Sequence, residues 1–331
     1  MTIKDLAAKT GYSVGTVSRA LNHHPNVSDT ARAVILQAAR ESDFELNVNA
    51  KQLKQQHSTT ILVVVKGIGN ELFAEMVETI QTMVAKTRYQ LVVDYLDEVH
   101  RAEQLCREKK PIGILFLGGN TQHFAAEFDR IDAPCVLVTN DASSLKFKNL
   151  SSVCTDDMEA GRRAIETLIG MGHRRIAVVG GDIRNSDTSR LRYEGCLRSF
   201  EENRIEFDAQ RDYRGVRFSY QDGYLATKEL LKENRGFTAL FAVADVMAIG
   251  AIRALWESGL RVPQDVSVLG FDGLPLGMYQ VPQLSTIRQP AKQLARRSVE
   301  ILLESIENGA DARHECVPFE VCRRESIAVV K

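Results

Sequence analysis

No window of this sequence approaches the run of about 18 apolar residues that a membrane-spanning helix needs. No basic leader followed by an apolar stretch opens it at Met1-Thr2-Ile3-Lys4-Asp5-Leu6; a protein that is neither exported nor anchored, and so cytoplasmic, is expected. The six cysteines, Cys106, Cys135, Cys154, Cys196, Cys316 and Cys322, form no CxxC pair. That argues against zinc ribbons and disulfide scaffolds, and each thiol reads as a small buried hydrophobe in a reducing compartment. The formal net charge is −1, so the chain is no polycation and any contact with nucleic acid has to be local and shaped. There is no G-x-x-x-x-G-K-[ST] and no H-E-x-x-H. Gly67 and Gly69 with Asn70 make only half of a phosphate-binding loop, and His173 has no partner at metal-ligand spacing. No catalytic residue, metal ligand or cofactor is expected.

What is present changes character along the chain. The 331 residues suit a small module followed by a larger domain. Thr2 with Asp5 three positions on opens a helix through about Lys9. Gly11 breaks it, Ser13 caps a second helix to about Leu21, and residues 22–26, with Pro25, make a turn. Ser28 caps a third helix. Ile3, Leu6, Ala7, Val17, Leu21, Val27, Val34, Ile35 and Phe44 are the expected core of this module. Residues 47–56 are polar, basic and nearly core-free: a linker with helical potential capped by Asn47, or a plain tether.

From Thr60 short apolar runs alternate with helical stretches: Ile61–Val65, Gln90–Tyr95, Gly113–Leu117, Cys135–Thr139 and Val153–Asp156, then Arg175–Gly180, Ala239–Val243 and Val266–Phe271. Continuous apolar strands joined by helices predict parallel sheets covered on both faces. Two successive sets predict two doubly wound α/β lobes with a ligand cleft between them, at the carboxyl ends of the strands.

Gly11 to Asn22 reads as a helix-turn-helix, whose second helix enters the major groove. Ser13, Thr16, Ser18 and Asn22 suit phosphate oxygens, and Arg19 can fork onto a guanine. A generic capped surface helix is the alternative.

Thr16-Val17-Ser18-Arg19, with Leu21-Asn22 after it, Ile3-Lys4-Asp5-Leu6-Ala7 before it and Val27-Ser28 beyond, resembles the headpiece of the LacI/GalR family of bacterial repressors. The resemblance continues through Asn70-Glu71-Leu72-Phe73, Gly172-His173-Arg174-Arg175-Ile176-Ala177, Arg192-Tyr193-Glu194-Gly195, Asp245 to Gly250, Gly259 to Pro263, Gly270-Phe271-Asp272, Leu284 to Pro290 and Arg323 to Ser326. It implies a headpiece at residues 1–46, a hinge at 47–58 and an effector-binding and dimerisation domain at 59–331. Within that domain one lobe takes about 59–156 and 287–317, and the other about 157–286 and 318–331. The lobes are expected to resemble a periplasmic sugar-binding protein.

The family likeness places Val14 and Gly15 beside Arg19 at the bases, with Asn26 and Ser28 also at the DNA. It makes Leu53, one turn after Ala50, a wedge in the minor groove. Leu46 stands where the family often has proline. In the effector domain Arg192 is the first candidate contact, as a paired donor to hydroxyls or a carboxylate, or else a salt bridge. Asp272 suits adjacent hydroxyls, or is a turn aspartate before Gly273. Phe73 and Phe218 read equally as stacking faces or core. Asp245 contacts effector or holds the strand end, and Ala244 replaces the asparagine common in the family.

The implied function is a ligand-controlled, sequence-specific repressor. It acts as a homodimer on a pseudo-palindromic double-stranded operator, allosterically, under a sugar or sugar derivative. A purine-like co-repressor is the alternative, and a sugar-binding transport protein a remoter one. Val329-Val330-Lys331 follow the last strand-like segment without a heptad tail, so a dimer rather than a tetramer is expected.

Overall fold

The computed structural model describes residues 3–21, 27–42, 58–67, 70–95, 99–233 and 236–330. Two compact units are present, Met1–Ser58 and Thr59–Lys331.

The first unit carries helices α1 (Ile3–Thr10), α2 (Val14–Leu21) and α3 (Asp29–Glu41). Gly11 ends α1 with φ +70°, a conformation that L side chains rarely adopt. The Ser13 hydroxyl accepts from the Thr16 N–H at 3.1 Å, and that of Ser28 from the Ala31 N–H at 3.4 Å, the capping expected at both helix starts. Leu6, Ala7, Val17, Ala20, Val27, Ala31, Ile35 and Ala39 form the core. Val34 was expected there and is instead exposed. The buried face of α3 repeats every four residues through Ala31, Ile35 and Ala39, and Val34 falls off that stripe. Thr2, Asn22, Pro25, Asn26, Phe44, Leu46, Ala50, Leu53 and the whole 47–56 hinge lie outside the described residues.

The second unit holds two six-stranded sheets among the described residues. In the first, β1 (Thr60–Val65), β2 (Gln90–Tyr95), β3 (Gly113–Leu117), β4 (Cys135–Val138), β5 (Leu150–Cys154) and β11 (His314–Cys316) run parallel in the order β11-β5-β4-β3-β1-β2. In the second, β6 (Ile176–Gly180), β7 (Tyr213–Gly215), β8 (Ala239–Ala242), β9 (Ser267–Asp272), β10 (Ser285–Arg288) and β12 (Glu320–Cys322) take the order β12-β10-β9-β8-β6-β7, with β12 antiparallel. Several strand ends differ from expectation, most by one residue. β4 stops at Val138 because Thr139 turns to φ 76°, and β5 starts earlier and ends at Cys154.

Helices α4 (Glu71–Val84), α5 (Val99–Lys109) and α6 (Thr121–Glu127) belong to the first lobe, and α7 (Asp157–Gly170), α8 (Asp187–Glu202), α9 (Ala209–Asp212), α10 (Tyr220–Glu233), α11 (Asp245–Glu257) and α12 (Leu276–Tyr279) to the second. The last, α13 (Ala291–Asn308), returns to pack on β3, β4, β5 and α4. Three segments therefore link the lobes: residues 155–156 between β5 and α7, residues 289–290 between β10 and α13, and residues 317–319 between β11 and β12. Gly195 fixes one helix crossing. A Cβ there would lie 2.0 Å from the Met158 carbonyl oxygen, so α8 rides backbone-close on α7. No helix among the described residues is long and apolar enough to cross a membrane.

Candidate functional site

In the first unit Val17 and Ala20 anchor α2 to the core, and helical spacing then turns Ser13, Val14, Gly15 and Arg19 to solvent, with Thr16 and Ser18 half-exposed. The Arg19 Nε folds back onto the Gly15 carbonyl at 3.1 Å, and the hydroxyls of Ser13 and Thr16 pair at 2.9 Å. The run Gly11-Tyr12-Ser13-Val14-Gly15 spells G-x-S-x-G, a hydrolase nucleophile-elbow pattern. Ser13 nevertheless joins two helices, not a strand to a helix, and its hydroxyl is spent as a cap, so the catalytic context is missing.

In the second unit the candidate residues gather where strands end. Arg192 projects from α8 and is buried. Its Nε donates to Asp157 Oδ1 at 2.7 Å and its Nη1 to the Val243 carbonyl at 2.7 Å. The guanidinium carbon stands 3.6 Å over the centroid of the Phe271 ring. Two of its five N–H donors are thereby spent. Burial raises the Asp157 carboxyl above its ordinary range, with Arg192 opposing.

Asp272 ends β9 at φ 113°. A non-glycine residue costs about 1–3 kcal/mol in such a conformation, and strain of that kind clusters at functional sites. Burial pushes its carboxyl up to about 6, against Arg192 and a 2.8 Å hydrogen bond donated by Gln289 Nε2. Asp245 is placed behind Asp272, not beside it. It is fully buried, with Oδ1 accepting from Thr286 Oγ1 and Oδ2 from the Leu274 N–H, both at 2.7 Å. Of the two roles expected of it, this geometry fits the second: its oxygens are occupied in holding the loop after β9. Burial, with Asp272 close by, pushes it up to about 8.

The aromatics separate in the same way. Phe73 is buried in the first-lobe core with its ring against Gly118. Phe218 keeps 41% of its surface exposed, beside Gly181 at the end of β6. His173 is structural: Nδ1 meets Thr238 Oγ1 at 2.9 Å, Nε2 meets the Ala328 carbonyl at 3.1 Å, and burial lowers its pKa.

Sequence reasoning missed the groups that bridge the lobes. The Thr121 N–H and hydroxyl both donate to Asp187 Oδ2 at 2.8 Å, Asn120 Nδ2 to the Asn185 carbonyl at 2.9 Å, and the Tyr220 hydroxyl to the Glu71 carboxylate. Asn120 and Asn185 both stand just outside helix starts that face across the cleft, which is the one signal a sequence offers. Gln289, in the second linking segment, was missed too.

Residues 2–47 match the lacI family of bacterial regulatory proteins, and residues 165–327 the periplasmic binding protein-like domain. The chain is 33% identical to the HTH-type transcriptional regulator MalR of Clostridium butyricum, over 98% of its own length and 99% of that protein. It belongs to the LacI family. As a member of this family it is a DNA-binding transcriptional regulator, with the helix-turn-helix headpiece and two-lobed α/β architecture expected. The fold matches the lac repressor dimer bound to operator and the anti-inducer ONPF with a TM-score of 0.79 at 26% identity, covering 99% of both chains. It matches a transcriptional regulator CelR–cellobiose complex with a TM-score of 0.74 at 25% identity, over 98% of this chain and 99% of the other. Among LacI-family features, the Arg-x-x-Gly run has a physical meaning here: Gly195 lets α8 close on α7, and that contact sets Arg192 against Asp157.

Proposed function

We propose that this LacI-family regulator is a cytoplasmic homodimeric repressor whose operator affinity is set by a sugar or sugar derivative held between the lobes of residues 59–331. The carrying observation is the pairing of a locked guanidinium with a strained carboxylate. Arg192 is fixed by Asp157, Val243 and Phe271, and Asp272 sits within its field at the end of β9. Paired donors beside an acceptor suit vicinal hydroxyls, and the exposed ring of Phe218 offers an apolar face to a pyranose. Asp245 and Phe73 act behind this set. The cellobiose bound by the structurally similar regulator supports a carbohydrate.

In the headpiece, residues 1–46, Ser13, Val14, Gly15, Thr16, Ser18 and Arg19 form the DNA-facing surface, with Asn22, Asn26 and Ser28 on the phosphates. The hinge, 47–58, carries Ala50 and the Leu53 wedge. The lobe-bridging contacts Thr121–Asp187 and Tyr220–Glu71 are the groups a ligand-driven change of lobe angle would make or break. A homodimer is supported by the lac repressor dimer, and the apolar run Leu276, Met278, Tyr279 and Val281, of which Val281 is 92% exposed, offers a surface for it.

Thermal-shift screening of mono- and disaccharides, with purine bases as the competing class, tests this reading. A ligand at about 100 times its Kd stabilises the native state by about 2.7 kcal/mol. Stabilisation by a purine and by no carbohydrate would reject the sugar assignment.

A further inference from the structure

Cys154 and Cys316 face one another in register across the parallel β5–β11 pair. Adjacent strands lie about 4.7–4.9 Å apart, inside the Cα separation of about 4.4–6.8 Å that a disulfide spans. Residues in register point to the same face of a sheet, which sets the Cys154 and Cys316 thiols side by side. Both are free thiols, Cys154 buried and Cys316 exposed. Cys316 departs in this from the expectation that all six cysteines are buried.

The position of the pair is its most informative property. Cys154 is the last residue of β5, and residues 155–156 then cross to the second lobe. Cys316 is the last residue of β11, and residues 317–319 make another crossing. The Val317 N–H donates to the Cys154 carbonyl at 2.8 Å. Two of the three linking segments thus leave the first sheet side by side, with a dithiol at their root.

We propose that Cys154 and Cys316 form an oxidation site at which hydroperoxides close a disulfide that staples two inter-lobe linkers together. Hydrogen peroxide oxidises the exposed Cys316 thiol to a sulfenic acid, its O–O bond breaking and one water leaving. The Cys154 sulfur then attacks the Cys316 sulfur; the S–S bond forms, the S–O bond breaks, and the hydroxyl leaves with the Cys154 proton as a second water. Two electrons pass from the dithiol to one peroxide.

The surroundings set the pace. Burial and the carboxylates of Asp141 and Asp156 raise the Cys316 thiol, while the Asp156 N–H and Cys154 oppose that rise; burial, Cys316 and the carboxylates of Asp141, Asp157 and Asp156 raise Cys154 well above its ordinary value. His314, at the head of β11, hydrogen-bonds Ser152 through Nδ1 at 2.8 Å. Oxidation of such a pair is slow at neutral pH and quickens as pH rises, because the thiolate is the nucleophile.

The full-length reduced protein, treated with hydrogen peroxide at pH 7 and pH 8.5 and quenched with a thiol alkylating agent, decides this. Expected is the loss of two hydrogens in intact mass and one crosslinked peptide joining residues 154 and 316, forming faster at pH 8.5. Hydrogen–deuterium exchange of the 155–156 and 317–319 segments should then slow several-fold on oxidation. Cys316→Ser, at an exposed position, should abolish the crosslink and leave exchange unresponsive to peroxide. A Cys316 sulfinic acid with no crosslink, a disulfide between two chains, a Cys106–Cys135 crosslink in place of this one, or an unchanged exchange rate with the disulfide formed would each overturn the proposal.

Discussion

The Nε of Arg192 donates to Asp157 Oδ1 at 2.7 Å, and both side chains keep no more than 5% of their surface exposed. Burial makes either charge expensive, and the two groups face each other across this bond. Removing one partner of such a pair typically costs about 3–5 kcal/mol, because the survivor stays buried and unpaired. Asp157→Ala is therefore expected to lose stability in that range by urea denaturation, and Asp157→Asn, which keeps an acceptor for Nε, distinctly less. Equal losses would mean that the neutral acceptor contributes nothing and that the charge carries the whole effect.

Gly195→Ala should be nearly as damaging for a steric reason. Its Cβ would stand 2.0 Å from the Met158 carbonyl oxygen, which is backbone and cannot swing aside. Forced adjustments of well-packed interiors typically cost about 1–3 kcal/mol. Gly170, also helical, has open space around its Cβ direction, and Gly170→Ala should be neutral or stabilising by up to about 1 kcal/mol. Thermal melts of the two variants give opposite signs on this account, and melts of the same sign would contradict it.

Asp245 makes stability depend on pH. Its native pKa, about 8, lies above the unfolded value of about 3.9. Between those values the folded chain holds a proton that the unfolded chain has released, so stability falls as pH rises through about 4 to 8. Asp245→Asn removes that slope. Urea titrations at pH 5, 6.5 and 8 should show the wild type losing more stability over the interval than the variant, and parallel curves would refute the assignment.

Much of this could be read from the sequence. Continuous apolar strands such as Ile61–Val65 and Gly113–Leu117 have no other stable setting than a covered parallel sheet, and Ser13, Ser28 and Gly11 punctuate the headpiece helices where capping and left-handed backbone demand. The short edge strands β7, β11 and β12 carry too few residues for a periodicity to register. Val34 looked like core because an apolar residue one step off a helical stripe is indistinguishable by type alone. Arg192 and Asp272 stood out through chemistry and family likeness. Yet nothing local distinguished Asp245, sealed under Thr286, from Asp272 at the strand end; that depends on which loop packs over which carboxylate. The inter-lobe contacts of Asp187 and Tyr220 span more than sixty residues of sequence and emerge only in three dimensions.

In the headpiece, Arg19 is exposed and its Nε folds onto its own helix turn at Gly15. On the proposed docking, Val14 offers the bases an apolar contact and Gly15 none, so Arg19 would bear most of the polar base reading. Arg19→Ala should cost about 1–3 kcal/mol and relax preference at one base pair per half-site. Selection of bound duplexes from a random library reports this directly. An unchanged selected consensus would mean that α2 does not read bases through Arg19.

The central claim is that a cleft ligand governs DNA binding through Arg192 and Asp272. The direct measurement is fluorescence anisotropy of a selected operator duplex titrated with the full-length protein, with and without the stabilising sugar, for the wild type and Asp272→Asn. The account predicts that the sugar shifts wild-type operator affinity at least tenfold. Asp272→Asn should bind operator within about twofold of the wild type in the absence of sugar, yet show little or no shift, since a tenfold coupling corresponds to about 1.4 kcal/mol that only the ligand contact supplies. An Asp272→Asn protein that responds to the sugar as the wild type does would contradict it.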